Sequence, residues 1–313
     1  MNFKLEFDFP SLQRKINNQD KLFFIGSCFA ENIAEIFIKN YFHIFSNPNG
    51  IVYNPKSIST QLNHLIQKKT HLEADVFFHN EQWHSFQFHS EFSSNTKEEL
   101  LQKINESTKL ASDELLNANL LFITFGSAFV YLHHKTAVSN CHKLPAKQFE
   151  KVLLKKEEIV NEYILLVKKL QSHNPDLQII FTVSPVKYIR DGIIENNLSK
   201  AILIQSVHEI ISSCSNCFYF PAYEMVIDEL RDYRFFKNDF AHPNEMAINY
   251  VWERLSSWMD NNTLEYLKDI EEFLKFKNHR VLNPDQQKQH LDQITFRKNA
   301  IQKKYPILKI DHD

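Results

Sequence analysis

Residues 21–30 are Lys-Leu-Phe-Phe-Ile-Gly-Ser-Cys-Phe-Ala, and this stretch decides the fold. A short apolar run that ends at Gly26 is typical of a strand buried on both faces of a parallel sheet. The residues that follow place apolar side chains at the spacing of a core-facing helix, at Ala30, Ile33, Ala34, Phe37 and Ile38. The pair Ser27 and Cys28 is therefore predicted to lie on a sharp turn between strand and helix.

The same alternation of helix and buried strand continues along the chain. Further buried strands are predicted at 120–125 and 178–183, with a short one around 218–220. Helices are predicted between them, at about 54–66, 96–117, 155–173, 196–213 and 243–258. This alternation predicts a three-layer α/β/α fold built on a doubly wound parallel sheet, with functional loops at the carboxyl ends of the strands. Residues 75–92 alternate around Trp83 and predict a hairpin or irregular excursion.

The C-terminal part of the chain has a different pattern. Residues 261–313 carry apolar residues at helical spacing in a charged background, interrupted at Asn283-Pro284. Two amphipathic helices are predicted there. We expect a main domain over 1–260 and a helical extension over 261–313 that packs on it or serves association, including homo-oligomer formation.

Composition excludes several classes of protein. The chain has 36 Lys+Arg against 38 Asp+Glu and 43% hydrophobic residues, which excludes disorder and a dedicated nucleic-acid surface. No apolar run is long enough for a membrane span or of secretory type, so a cytoplasmic location is expected. Four cysteines in a chain of this size are expected to be reduced thiols.

Metal and redox chemistry are not favoured. Cys214 and Cys217 have the spacing of a redox pair, but they follow a predicted helix instead of opening one. A zinc site that adds Cys141 and His142 would need an adjacent Cys-His pair, which is poor chelate spacing. Nucleotide binding is disfavoured because the chain has four glycines and no Gly-rich phosphate loop. We therefore predict neither a metal nor a cofactor.

Two separated segments carry groups suited to nucleophilic catalysis. Ser27 and Cys28 lie where the following helix offers unpaired N–H groups, which lower a thiol pKa and stabilise an oxyanion. The alternative interpretations are a helix N-cap for Ser27 and a small buried hydrophobe for Cys28. Asp239 precedes His242 by three residues, a spacing that lets a carboxylate hold an imidazole in one tautomer.

These segments and others resemble the GSCFA family, which is similar to the SGNH, or GDSL-like, hydrolase superfamily with its flavodoxin-like sheet. The resemblance covers most of residues 20–260. It is carried, in chain order, by Phe24-Ile-Gly-Ser-Cys-Phe-Ala30, Asn47-Pro-Asn-Gly50, Phe125-Gly-Ser-Ala-Phe-Val-Tyr131, Val138-Ser-Asn-Cys-His-Lys143, Val183-Ser-Pro-Val186 and Asp239-Phe-Ala-His-Pro-Asn244.

The resemblance implies a role for each matched position. It implies Cys28 as nucleophile, with Ser27 as the alternative, His242 as the base and Asp239 as the acid that orients His242. The oxyanion and substrate positions it implies are Gly26, Asn49, Gly50, Gly126, Ser127, His142 and Ser184. The asparagine donor that the family carries two residues after the glycine matched by Gly126 is Ala128 here, so Asn47 or Asn49 is the expected substitute.

Two functions follow from this resemblance. The first is an acyl hydrolase, acting as an esterase or thioesterase, or an acyltransferase, working through a covalent acyl-enzyme on an acylated small molecule or carbohydrate. The alternative is a catalytically silent domain whose cleft binds an acylated or sugar ligand. The leading interpretation is the enzyme.

Overall fold

A five-stranded parallel sheet forms the centre of this computed structural model, which describes residues 5–281, 284–306, 308 and 310. In spatial order its strands are β10 (Cys217–Tyr219), β9 (Gln178–Val183), β5 (Leu120–Phe125), β1 (Lys21–Gly26) and β2 (His43–Ser46). The chain leaves β1 towards β2 on one side and then crosses to β5 on the other. The switch point of the sheet therefore lies between the carboxyl ends of β1 and β5, where doubly wound sheets bind ligands.

Helices cover both faces of the sheet. They are α1 (Cys28–Lys39), α2 (Pro55–Ile66), α3 (Lys97–Leu116), α4 (Lys156–His173), α5 (Ile193–Ser213), α6 (Ala222–Glu224), α7 (Glu245–Ser256), α8 (Asn261–Lys277) and α9 (Pro284–Lys304). Phe24 and its alternate neighbours on β1 pack with α1, α7 and α8, whereas Phe23 packs on the opposite face with α2 to α5. The predicted three-layer α/β/α fold is confirmed.

Local sequence signals set where these helices begin. The Asn54 side chain accepts a hydrogen bond from Ser57 N at 2.8 Å, with Pro55 as the first helical residue of α2. Thr96 caps α3 in the same way. Two predicted boundaries were shifted: α5 begins at Ile193 instead of Asn196, and α7 begins at Glu245 after its cap Asn244.

Two small sheets interrupt the α/β alternation. The hairpin predicted within 75–92 is confirmed as β3 (Phe77–His79) and β4 (Gln82–His84). A three-stranded antiparallel sheet of β6 (Phe129–His133), β7 (Thr136–Val138) and β8 (Glu150–Leu153) follows β5 and was not predicted. In the chain, the β3–β4 hairpin lies between α2 and α3, and the three-stranded sheet lies between β5 and α4. Neither adds a strand to the central sheet, which stays continuous.

The two helices predicted for the C-terminal part are present as α8 and α9, although Asn283 lies outside the described residues. Tyr266 of α8 is buried against Phe42 and donates a hydrogen bond to Asn40 O at 2.7 Å. α9 packs on α8, where Lys304 pairs with Glu265 and Asp269 at 2.7 Å each. Among the described residues, no helix has the length and apolar character to cross a membrane.

Candidate active site

The turn from β1 to α1 begins at a glycine that tolerates no side chain. Gly26 has φ +146°, and a Cβ built there would lie 2.3 Å from Thr124 O in β5. Ser27 follows with its side chain fully buried, and its Oγ accepts a hydrogen bond from Phe29 N at 3.3 Å as the N-cap of α1. The N-cap interpretation of Ser27 is confirmed, and Cys28, which is only partly buried, is the more accessible of the two side chains.

The pKa of the Cys28 thiol lies above its ordinary value. Burial is the main cause that raises its pKa, and the nearby carboxylate of Glu31 raises it further. Hydrogen bonds from Cys28 N–H and Phe29 N–H and the charge of Lys237 act in the opposite direction. The Cys28 N–H lies in the first turn of α1, where an α-helix offers no acceptor of its own. A nucleophilic role for Cys28 therefore needs a base.

Asp239 and His242 are hydrogen-bonded to each other at the surface, with 2.7 Å between Asp239 Oδ2 and His242 Nδ1. The other carboxylate oxygen accepts hydrogen bonds from His242 N at 3.0 Å and Ala241 N at 2.9 Å. These N–H groups, that of His242 first, lower the pKa of Asp239 to about 2. An ionised carboxylate only accepts hydrogen bonds, so Nδ1 carries a proton and His242 Nε2 is left to act as a base.

The loop that carries this pair is tied to the carboxyl edge of the sheet. Lys187 N, from the loop after β9, donates to Ala241 O at 3.0 Å, and Lys237 N donates to His242 O at 2.7 Å. Phe236 of this loop belongs to the hydrophobic cluster against which Cys28 packs, so the loop and the N-terminus of α1 lie on the same side of the sheet. Cys28 and His242 are both described and make no hydrogen bond with each other. The two segments thus share one edge without direct contact of their reacting groups.

The glycine N–H groups that the family resemblance implied as oxyanion donors are engaged within the protein. Gly50 N donates to Asn47 O at 2.8 Å, and Gly126 N donates to Tyr53 O at 2.7 Å. Asn47 Oδ1 accepts from Gly26 N at 2.8 Å, while its buried Nδ2 makes no hydrogen bond of normal geometry. Burial raises the pKa of Glu31, and a hydrogen bond from the Asn47 side chain partly offsets that rise. Glu31 is in the first turn of α1, so Asn47 Nδ2 faces that turn.

The remaining implied substrate residues make hydrogen bonds to main-chain atoms or to a side chain of α5. Asn49 Nδ2 donates to Gln87 O at 3.4 Å, and Ser184 Oγ accepts from Val186 N at 3.3 Å. Ser127 Oγ lies 3.3 Å from the hydroxyl of Ser199 on α5. The His142 ring is buried among the aromatic residues of the small sheets, and its Nε2 lies 2.8 Å from the main-chain oxygen of residue 85. Each of these side chains has a structural contact that accounts for its position.

Two residues that the sequence analysis did not single out complete this edge of the sheet. Lys200 of α5 is 2% exposed, and its Nζ donates to Gly126 O and Ser184 O at 2.6 Å each. Tyr188 covers Gly126 so closely that a Cβ there would lie 2.2 Å from the tyrosine Oη. Lys200 shares the apolar helix face with Leu203 and Val207, at spacings of three and seven residues, and a charged residue on such a face was the available signal.

Comparison with known proteins agrees with the family resemblance. A family model described as the GSCFA family matches residues 21–255. A search of curated proteins found no match. A solved structure described as a "putative GDSL-like lipase" from Parabacteroides merdae ATCC 43184 is 13% identical, with a TM-score of 0.39, covering 78% of this chain and 99% of that one. At that TM-score, no property of the lipase is carried over to this chain.

Proposed function

This chain belongs to the GSCFA family, and on that premise we propose that it is an acyl hydrolase or acyltransferase that forms a covalent acyl-enzyme on Cys28. The proposed substrate is an acylated small molecule or carbohydrate, attacked at its ester or thioester carbonyl. The observation that carries the proposal is the Asp239–His242 hydrogen bond through Nδ1, which directs Nε2 away from Asp239, in a loop at the same sheet edge as the Cys28 turn. The proposed catalytic domain spans 1–260, with 261–313 as its extension.

The proposed reaction has two halves with one base. His242 Nε2 removes the Cys28 proton, the thiolate attacks the acyl carbonyl, and Asp239 stabilises the imidazolium that results. The tetrahedral intermediate collapses to a thioester and expels an alkoxide or thiolate, which takes the proton from His242. A water molecule or an acceptor alcohol then gives its proton to His242 and attacks the thioester, which releases the acyl product and regenerates the Cys28 thiol.

The oxyanion of this intermediate is assigned to two donors. One is Cys28 N–H at the positive end of α1, and the other is Asn47 Nδ2, a buried amide nitrogen that makes no hydrogen bond of normal geometry and faces the Glu31 carboxylate. Asn47 takes the place first expected for Gly50, because Gly50 N–H is already donated to Asn47 O. A buried donor that lacks a partner gains the most from a bound anion, since it no longer bears the cost of lost hydration.

His242 has to approach Cys28 for proton transfer. The imidazole is 41% exposed, so core packing does not hold it away from Cys28. Catalytic hydrogen bonds commonly tighten only when substrate is bound, so their absence from the free protein does not oppose the assignment.

The test locates the nucleophile by covalent labelling. Native protein is treated with iodoacetamide or a fluorophosphonate, and each adduct is identified by mass spectrometry. Cys141 is the matched control thiol, because it is also free and partly buried and only burial raises its pKa. We expect the rate of Cys28 alkylation to fall in His242→Asn while that of Cys141 is unchanged. A fluorophosphonate adduct on Ser27 would assign the reaction to the hydroxyl instead.

A second candidate function is ligand binding without catalysis. It is favoured by the internal hydrogen bonds of Gly50 N–H and Gly126 N–H, which leave the expected oxyanion donors occupied. Under this proposal, Cys28→Ala retains affinity for an acylated sugar and the native protein accumulates no acyl adduct. Intact-protein mass spectrometry after incubation with an activated acyl ester separates the two functions, because only the enzyme gains the acyl mass.

Location and association are parts of the same proposal. A cytoplasmic location is supported by the four cysteines, which are all free thiols. Homo-oligomer formation through the C-terminal helices is supported by Leu291 and Phe296 on α9, which are 62% and 74% exposed. Light scattering of Phe296→Ser against native protein tests it, and an unchanged mass above that of one chain excludes this face as the interface.

A further inference from the structure

A cavity of about 810 Å³ lies at the edge of the sheet opposite to Cys28. Its walls come from the residues just before β1, the turn between α1 and β2, the start of α8 and the end of α9. β1 and β2 both begin at this edge, where Lys21 is paired with His43, and Cys28 follows the other end of β1. A strand of that length spans roughly 17–20 Å, so the cavity is separate from the candidate active site.

The floor of the cavity is formed by aromatic rings that hold one another in place. Tyr266 of α8 is 1% exposed and packs edge-on against Phe42, with 5.7 Å between the ring centroids, and against Tyr305, with 4.9 Å. The Tyr266 hydroxyl donates to Asn40 O at 2.7 Å, and that of Tyr305 donates to Asp269 Oδ2 at 2.8 Å. These rings are fixed before any ligand binds, which lowers the entropic cost of binding.

The charged side chains of the lining are neutralised by neighbouring groups. Lys304 Nζ pairs with Glu265 and Asp269 at 2.7 Å each. His43 Nε2 lies 2.8 Å from a carboxylate oxygen of Glu114. An ionic ligand would have to compete with these contacts, so the cavity favours an uncharged one.

Uncharged polar groups of the lining are available to such a ligand. The side-chain amides of Asn18 and Asn262 and the hydroxyl of Tyr41 make no hydrogen bond within the part of the chain that the structure describes. Amides and phenols can each donate and accept hydrogen bonds. A cavity of this volume, with apolar rings and a few convergent polar groups, has the character of a small-molecule site.

Tyr41 occupies a backbone position at which glycine is favoured. It follows the C-cap of α1 with φ +58°, its N–H donates to Ile38 O at 2.8 Å, and Phe42 N donates to Phe37 O at 3.1 Å. This is the Schellman ending of a helix, in which the left-handed residue is usually glycine. A tyrosine costs stability at such a position, which points to a use for the side chain that lines the cavity.

We propose that this cavity is a second binding site, separate from catalysis, that takes a neutral sugar unit of a glycan. A sugar ring has an apolar C–H face, which packs on aromatic rings, and a rim of hydroxyl groups, which exchange hydrogen bonds with amides and phenols. The aromatic floor, the neutralised charges and the available amides fit both features.

The site gives the C-terminal extension a role, because α8 and α9 supply part of its walls. The extension holds a glycan at one edge of the sheet, while the opposite edge acts on an acyl group. The second half of that statement rests on the proposed function, whereas sugar binding does not.

The experiment measures sugar binding to the full chain by saturation-transfer NMR. The probes are the methyl glycosides of glucose, galactose, mannose and N-acetylglucosamine at millimolar concentration. Tyr41→Asn removes the ring and introduces a side chain that tolerates the left-handed backbone. The matched control is Lys68→Asn, because Lys68 has φ +48° and the same Schellman hydrogen bonds at the end of α2, outside the cavity. We expect at least one glycoside to bind native protein and Lys68→Asn equally, and to bind Tyr41→Asn at least tenfold more weakly.

A second variant keeps the test decisive where Tyr41→Asn is unstable. Asn262 is exposed at the start of α8, and Asn262→Ala removes only its amide. Loss of one hydrogen bond is expected to weaken sugar binding about fivefold. Absence of saturation transfer to all four probes, or unchanged binding in both cavity variants, overturns the proposal. Acyl-adduct formation on Cys28 is measured separately and reports only on the proposed function, so failure of one proposal is distinguished from failure of the other.

Discussion

Gly26→Ala tests how closely β1 approaches β5 at the point from which Cys28 is presented. The backbone of residue 26 has φ +146°, a conformation that residues with a side chain rarely adopt. The added Cβ would lie 2.3 Å from Thr124 O and 2.8 Å from Thr124 Cβ, both in a paired strand that is buried on both faces. Neither atom can move without disturbing the pairing of β1 with β5.

The expected loss of stability has two parts. The unfavourable backbone conformation costs about 1–3 kcal/mol. Insertion of a methyl group into a closely packed site costs about 1–3 kcal/mol more. Gly26→Ala is therefore expected to lower the free energy of unfolding by about 2–6 kcal/mol.

Gly192→Ala separates these two parts. Gly192 also has positive φ, at +96°, but the Cβ there would meet Glu195 Oε2 at 2.2 Å, the far end of an exposed side chain. Since that carboxylate can rotate away, only the backbone cost of about 1–3 kcal/mol is expected.

Urea unfolding followed by tryptophan fluorescence gives both free energies, because Trp258 is buried in the core. Gly26→Ala should be the less stable variant by about 1–3 kcal/mol, and its Cys28 should change in alkylation rate. Equal losses in the two variants would refute the argument that strand approach excludes a side chain at residue 26.

Three further predictions follow from individual contacts. Asp239→Asn removes a carboxylate whose pKa of about 2 lies below its ordinary value of 3.8, so its stabilisation is present above 3.8 and lost as pH falls towards 2. Because solvent screens the contact between Asp239 and His242, Asp239→Asn should lower the free energy of unfolding at pH 7 by about 0.5 kcal/mol, measured by urea unfolding. A loss several times larger would contradict the surface role of this contact. Burial lowers the pKa of His71 from 6.5 to about 4, so native stability is full above 6.5 and falls as pH drops towards 4. His71→Phe should remove roughly 1 kcal/mol per pH unit of that fall, and an unchanged pH slope between 6.5 and 4 contradicts it. Tyr163→Phe removes a buried hydrogen bond to Pro55 O of 2.8 Å and should cost about 1–3 kcal/mol, whereas an unaltered unfolding midpoint would show that the carbonyl finds another donor.

The elements that were predicted correctly have strong local signals. The strands at 21–26, 120–125 and 178–183 are short apolar runs of six residues, and they are β1, β5 and β9 with those bounds. Asn54-Pro55 predicted the start of α2 because an N-cap and a proline act on the backbone within one turn.

The elements that were missed have weak local signals. β2 is a half-buried edge strand of four residues, so neither a continuous apolar run nor a clear alternation marks it. The turn between β6 and β7 uses His134 and Lys135 at φ +48° and +66°, without the Asn-Gly or Asp-Gly pair that usually marks such a hairpin.

The candidate site also contains contacts between neighbouring residues and contacts between distant segments, and only the first kind is predictable from sequence. Asp239 and His242 are three residues apart, so their spacing already allowed the contact that the structure contains. The hydrogen bond from Gly50 N to Asn47 O lies within the Asn47–Gly50 motif, whereas that of Gly126 N depends on Tyr53, a residue of another segment.

Local sequence is enough to predict the alternation of strands and helices, the caps, the Gly26 turn and the Asp239–His242 pair, because each depends on residues within a few positions of one another. The position of Lys200 of α5 between the ends of β5 and β9, and the N–H groups left available to a ligand, follow from tertiary packing. Hydrogen-bond partners and burial are set by segments far apart in the chain, and their pairing is decided by how the whole sheet packs.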